Sequence, residues 1–203
     1  MTTPLAPRLA AVSPAHLATA GFAVAGVIIV MLDMQQPAAA VTNTISAYAA
    51  SAVKALYVVA LLATCVGVTA AVARAGRAVI ASRPADLLLL TLWPIGIAVA
   101  TVFDEQVNTL PGTIHNIAVG TAIVAVHLAA VRMGRRFMSW LLLPTAAAGF
   151  ACMGVLLGLI IVGTLTGADL PVGIAERVLV AVSGVLVIGT LCGLQRHAAP
   201  WRV

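Results

Sequence analysis

The chain has 203 residues, of which 62% are hydrophobic, 8% charged and 4% aromatic, and its mean hydropathy is +1.12. Soluble domains carry charge on about a quarter of their residues, so this composition excludes a water-soluble globule and makes the bilayer the solvent. The formal net charge of +5 is a topology signal rather than a nucleic-acid surface, because the arginines gather at the ends of apolar runs.

A spanning helix needs about 20 apolar residues, which leaves room for about six spans with short loops and for no separate soluble domain. The expectation is one all-α domain over 1–203, a polytopic membrane bundle of six transmembrane helices. Residues before Ala15 read as a flexible tail. The first apolar run, about Leu17 to Leu32, has the Arg8 and the Ala38 to Ala40 flanks of a signal peptide, but its similarity to the later runs favours retention as a span.

A polar interval from Asp33 to Ser51 follows, and Lys54 opens a second span reaching about Val72. Lys54 lies close enough to the span end for its stem to snorkel. Arg74, Arg77 and Arg83 form a basic loop closed by SRPAD, in which Ser82 or Asp86 would cap the third span, with Pro84 near its first turn. That span, 85–103, contains Trp93 and Pro94 and is expected to kink there. The fourth, 113–131, holds His127 as a structural residue and ends in Arg132, Arg135 and Arg136. The fifth, 140–162, carries Gly154 and Gly158 at small-xxx-small spacing. Asp169 as a cap and Pro171 introduce the sixth, 171–194. Cys65, Cys152 and Cys192 all fall inside apolar runs, as packed thiols rather than a disulfide or metal framework.

Basic residues near span ends set orientation. Arg8, the Arg74 to Arg83 loop, the Arg132 to Arg136 loop and a tail with Arg196 and Arg202 alternate onto one face, which places both termini in the cytoplasm of a multi-pass plasma-membrane protein. From the opposite face the second, fourth and sixth helices enter with Lys54, then His115 and Asn116, then Glu176 and Arg177 in their first turns. At about 1.5 Å per residue, His115 and Glu176 lie roughly 6 to 8 Å below their helix starts. Asp104 ends the third span at that level, and Ser46 and Tyr48 lead into the second.

An ionisable group inside a span costs about 2.5 to 3.5 kcal/mol on insertion scales and usually faces a partner or a polar cavity. These residues are therefore expected to converge in an outer polar pocket, with Glu176 or Asp104 paired to Arg177, Lys54 or His115. In that pocket Arg177 and Lys54 would hold a phosphate or other anion, His115 and Asn116 would supply hydrogen bonds, and Glu176 would orient the basic groups. In an enzyme, His115 with Asp104 would be the catalytic acid-base pair. Ser46 or Ser51 with His115 and Asp104 is a weaker nucleophilic set, because no GxSxG-type elbow supports it.

The competing reading is a set of separate clamps. Glu176 and Arg177 project about 100° apart on a helix, Asp104 and Glu105 suit a solvated loop, and a lone histidine is more often a hydrogen-bonded core residue. One histidine plus carboxylates falls short of the three or four ligands of a zinc site, and no P-loop or dinucleotide glycine pattern occurs. No metal and no cofactor are expected.

The TISAY segment, the stretch FDEQVNTLPGTIHN and the GIAER start of the sixth span, with the spacing of spans over nearly the whole chain, resemble the six-helix prokaryotic membrane family called domain of unknown function 998. Members often place a proline and an acidic residue just after the phenylalanine, whereas Phe103 is followed directly by Asp104 and Glu105. The resemblance implies a six-helix fold and implicates Ser46, Asp104, His115, Glu176 and Arg177 by position; it supplies no activity. A more distant similarity to eukaryotic membrane families linked to lipid remodelling and autophagy tilts the expectation toward lipids.

The first-ranked expectation is a protein that binds or processes a lipid head group in an outer-leaflet polar pocket, with membrane lipids as partners. The second is a structural or assembly subunit that docks a membrane protein through small-residue faces at Gly154, Gly158, Gly189 and Gly193. A small transporter ranks last, since the inner half offers chiefly His127, Thr121 and the kink at Pro94.

Overall fold

The computed structural model describes residues 13–79, 84–103, 109–137 and 139–198. Among the described residues there are helices and no strands: α1 (Pro14–Gln35), α2 (Pro37–Thr42), a 3-10 helix (Ile45–Ala50), α3 (Lys54–Val79), α4 (Pro84–Val102), α5 (Leu110–Phe137), α6 (Leu142–Thr166) and α7 (Val172–Ala198). All but α2 and the 3-10 helix are long and apolar enough to cross a membrane, which gives the six expected spans. Helices suit this solvent because each satisfies its own backbone N–H and C=O groups without water.

The helices run longer than their apolar stretches. The expected first span, 17–32, becomes Pro14–Gln35, with Ser13 accepting from the His16 N–H at 3.2 Å as N-cap. Asp33 therefore belongs to a helix, not to the following loop. The expected fourth span, 113–131, becomes Leu110–Phe137, because arginine is a good helix former and Arg135 and Arg136 face the negative end of the helix dipole. Asp86 is not a cap: it lies inside the first turn of α4, buried and paired with Arg132 of α5. Pro94 does lie inside α4, and the Cys65 thiol donates to its carbonyl oxygen at 3.5 Å. All three cysteines are free thiols.

Lipid is as apolar as leucine, so helices associate through close packing and polar contacts rather than by leaving water. The α1/α3 pair shows this directly. A Cβ on Gly67 would stand 2.7 Å from the Leu17 carbonyl oxygen, and one on Gly21 2.6 Å from that of Ala63. The α4/α5 pair is as close at Gly96, where a Cβ would stand 2.5 Å from the Ala118 oxygen. Leu90, Trp93, Val126, Met133, Leu186 and Leu191 belong to the larger core, and Leu32, Ile45, Tyr48 and Tyr57 to a smaller one beside the 3-10 helix.

The glycines singled out for docking divide between two surroundings. Gly189 and Gly193 pack inward against Leu142 and Met133, whereas a Cβ on Gly154 or Gly158 would meet nothing within 4 Å. Helix α6 is peripheral, burying Leu142, Ala146 and Gly149 and exposing Val155, Leu157 and Ile161. His127 is fully buried. Its ring lies against Gly149 and Phe150, and its Nδ1 is 2.7 Å from the Ile123 oxygen, so that nitrogen carries the donated proton.

Candidate functional site

Polar residues at the α7 start tie three separate parts of the chain together. Arg177 donates from Nε to Asp33 Oδ2 at 2.8 Å and from Nη2 to Oδ1 at 2.7 Å, joining α7 to the end of α1. Its Nη1 donates to the carbonyl oxygens of Asn43 at 3.1 Å and Gly173 at 2.9 Å. The Tyr48 hydroxyl of the 3-10 helix donates to Asp33 Oδ1 at 2.7 Å, and the guanidinium lies 6.0 Å from the centre of the Tyr48 ring. Burial, then the hydrogen bond to the Asp33 carboxylate and its charge, push the Tyr48 hydroxyl above its ordinary pKa.

The sequence fits this junction at a second point. Gly173 lies under the α2 end, where a Cβ would stand 2.5 Å from the Ala40 oxygen and would also collide with the Asn43 oxygen. Only glycine lets the connecting segment rest on α7 so closely. Glu176 accepts from the Ile45 N–H, the first amide of the 3-10 helix. Adjacent residues on α7 thus serve two targets, as their angular separation requires.

The expected pairing is corrected by this geometry. Arg177 is bound in a bidentate fork to Asp33, in the last turn of α1, and Glu176 reaches the Ile45 backbone amide. With most of its donors engaged, Arg177 is not an open anion clamp. Lys54 is exposed at the first residue of α3, and Asn116 is exposed on α5. Asp104 lies outside the described residues. Ser46 is buried and donates to the Thr44 hydroxyl at 3.2 Å, and Ser51 donates to the Tyr48 carbonyl at 2.8 Å.

His115 belongs to a different junction. It is 2% exposed, and its Nδ1 lies 3.0 Å from the Ala100 oxygen and 2.8 Å from the Phe103 oxygen. Both are acceptors, so Nδ1 carries the proton. The last carbonyls of a helix lack intrahelical donors, and His115, from the next helix, supplies one. It fastens the start of α5 to the end of α4, while Glu176 and Arg177 fasten α7 to α1 and the 3-10 helix.

Between α1 and α7 runs a cavity of about 450 Å3. Phe22, Gly26 and Val30 line it from α1, and Ala181, Gly184 and Ile188 from α7; Thr64 and Trp93 contribute from α3 and α4. Asp33 and Arg177 close one end. Phe22 packs on Trp93 with ring centres 5.3 Å apart. From Phe22 to Asp33, at about 1.5 Å per residue, the groove is roughly 16 Å long, close to half of a hydrocarbon core of about 30 Å. A Cβ on Gly26 would meet nothing within 4 Å, so this glycine leaves open space.

Neither Asp33 nor Gly26 stood out in the sequence. The available signals were a carboxylate at the very end of an apolar run and a mid-span glycine, and each has many bland explanations.

The chain matches the family described as protein of unknown function (DUF998) over residues 16–192, from the first turn of α1 to near the end of α7. No curated protein and no solved structure matches. The chain belongs to the DUF998 family, as its motifs suggested.

Proposed function

We propose that this DUF998-family membrane protein binds a bilayer lipid in the groove between α1 and α7, with the head group at the Asp33, Tyr48 and Arg177 cluster. The groove carries this reading: an apolar trough about one leaflet deep, closed at one end by an ion pair. Its glycines and alanines make room for a chain, and its polar end stands where a head group would meet the interface. We further propose that this end faces outward across the plasma membrane. Arg74, Arg132, Arg135 and Arg136 gather toward the other end, which the positive-inside rule assigns to the cytoplasm.

The cluster also suggests which head groups suit it. Arg177 and Asp33 neutralise one another, and the guanidinium fork is already occupied. Such a pair offers both signs of charge at short range and favours a zwitterionic or uncharged hydrogen-bonding head group over a bare anion. Glu176 and His115 act here as fasteners that keep the helices in place, and neither is assigned a chemical step.

Mass spectrometry of copurifying lipids tests the proposal, with wild type compared with Gly26→Leu. The leucine fills the groove, and its Cβ meets no neighbour. Selective loss of one lipid class from the variant supports the groove; identical profiles count against it. A second reading, docking of another membrane protein, draws on the open face of α6 at Gly154 and Gly158. A stoichiometric partner retained by wild type and lost from Gly154→Leu would favour it.

A further inference from the structure

At the end of the bundle opposite the Arg177 cluster, α4 begins beside the last turns of α5. Asp86 is 2% exposed, and its Oδ1 accepts from Arg132 Nε at 2.8 Å. Arg136 Nη1 is 3.9 Å from Oδ2, an ion pair beyond hydrogen-bond reach. These three residues and Arg135 line a recess of about 400 Å3.

The described lining carries three guanidiniums and one carboxylate, an excess of two positive charges. Asp86 engages Arg132 through Nε and so fixes that guanidinium against the wall. Arg135 and Arg136 make no hydrogen bond to any described residue, and their donors remain available. Their spacing puts Arg132 one turn from both Arg135 and Arg136, so the three charges cannot separate without leaving the recess. A group that relieves this repulsion needs negative charge and several acceptor oxygens. A tetrahedral phosphate matches guanidinium forks in both respects, and basic recesses at helix ends are where phosphate head groups meet membrane proteins.

We propose that the recess of Asp86, Arg132, Arg135 and Arg136 is a binding site for a phosphate ester, supplied by an anionic phospholipid head group or by a soluble phosphate. Asp86 is a positioning residue: it aims Arg132 and does not touch the anion. The site is separate from the α1/α7 groove and stands or falls independently of it.

Native mass spectrometry of the full-length protein in nonionic detergent provides the test, with phosphatidylglycerol, phosphatidylcholine and glycerol phosphate titrated in turn. The comparison is between wild type, Arg135→Gln with Arg136→Gln, and Arg74→Gln, an exposed arginine outside the recess. Wild type and Arg74→Gln are expected to hold phosphatidylglycerol over phosphatidylcholine, and the double variant to hold it at least about tenfold more weakly. Retention of glycerol phosphate, lost in the double variant, would identify a soluble phosphate as a ligand; its failure to bind while phosphatidylglycerol does would identify the lipid. Equal retention of both lipids by wild type with no glycerol phosphate binding, or equal losses in Arg74→Gln and the double variant, would overturn the site.

Discussion

Replacing Arg177 with methionine removes the guanidinium and keeps most of the apolar stem. Asp33 then holds its charge with only the Tyr48 hydroxyl as a described partner, and the Asn43 carbonyl loses the Arg177 donor. Exposed ion pairs contribute about 0.2 to 1 kcal/mol, whereas breaking a buried pair costs about 3 to 5 kcal/mol because a charge is left uncompensated. The Arg177 and Asp33 side chains are 17% and 22% exposed, nearer the buried limit, so the expected loss is about 3 kcal/mol. For a chain of this size that lowers the thermal midpoint by roughly 6 to 12 °C. The assay is thermal unfolding in mild detergent of Arg177→Met, Asp33→Asn and the double variant. Removing both charges leaves no orphan, so the double variant should be more stable than the sum of the single losses implies, with a coupling of about 2 kcal/mol. Strict additivity, or single variants that melt with wild type, would refute the clamp.

Three further outcomes follow from other contacts. His115→Ala withdraws the donor shared by the Ala100 and Phe103 carbonyls and should cost about 1 to 3 kcal/mol in the same melting assay; an unchanged midpoint would remove His115 from the α4/α5 junction. Gly67→Val drives a side chain into the α1 backbone, with its Cβ 2.7 Å from the Leu17 oxygen, and should destabilise by about 1 to 3 kcal/mol. Gly154→Val should be near neutral, and equal effects would contradict the helix assignments. In a Tyr57→Phe background, the tyrosinate absorbance of Tyr48 should appear above the ordinary phenol range, and Asp33→Asn should bring it part of the way back. Because the folded-state pKa is raised, the associated stability is full below the unfolded phenol value and is lost as pH rises through the folded one. Ionisation of Tyr48 at its ordinary value would contradict its burial against Asp33.

The spans were legible because hydropathy is decisive where only helices can cross. Their ends were less so: α5 continues through three arginines, since helical hydrogen bonding does not stop where the apolar stretch does. The polar residues of α7 could be recognised as costly, but their partners could not be chosen. Asp33 and Arg177 are 144 positions apart, and their meeting depends on α1 lying beside α7, which no periodicity encodes. His115 bonds backbone carbonyls, whose position carries no side-chain signal at all. Small-residue spacing pointed to Gly154 and Gly158, yet close backbone approach occurs instead at Gly21, Gly67, Gly96 and Gly173. Spacing shows where a helix can approach another; the neighbour decides whether it does.

The most direct measurement of the central claim is photo-crosslinking with a lipid analogue that carries its reactive group in the acyl chain, followed by peptide mapping. The groove predicts label concentrated between Phe22 and Asp33 on α1 and between Arg177 and Ile188 on α7, and lost from both in Gly26→Leu. Label spread evenly over the exposed faces, α6 included, and unchanged in that variant would contradict it.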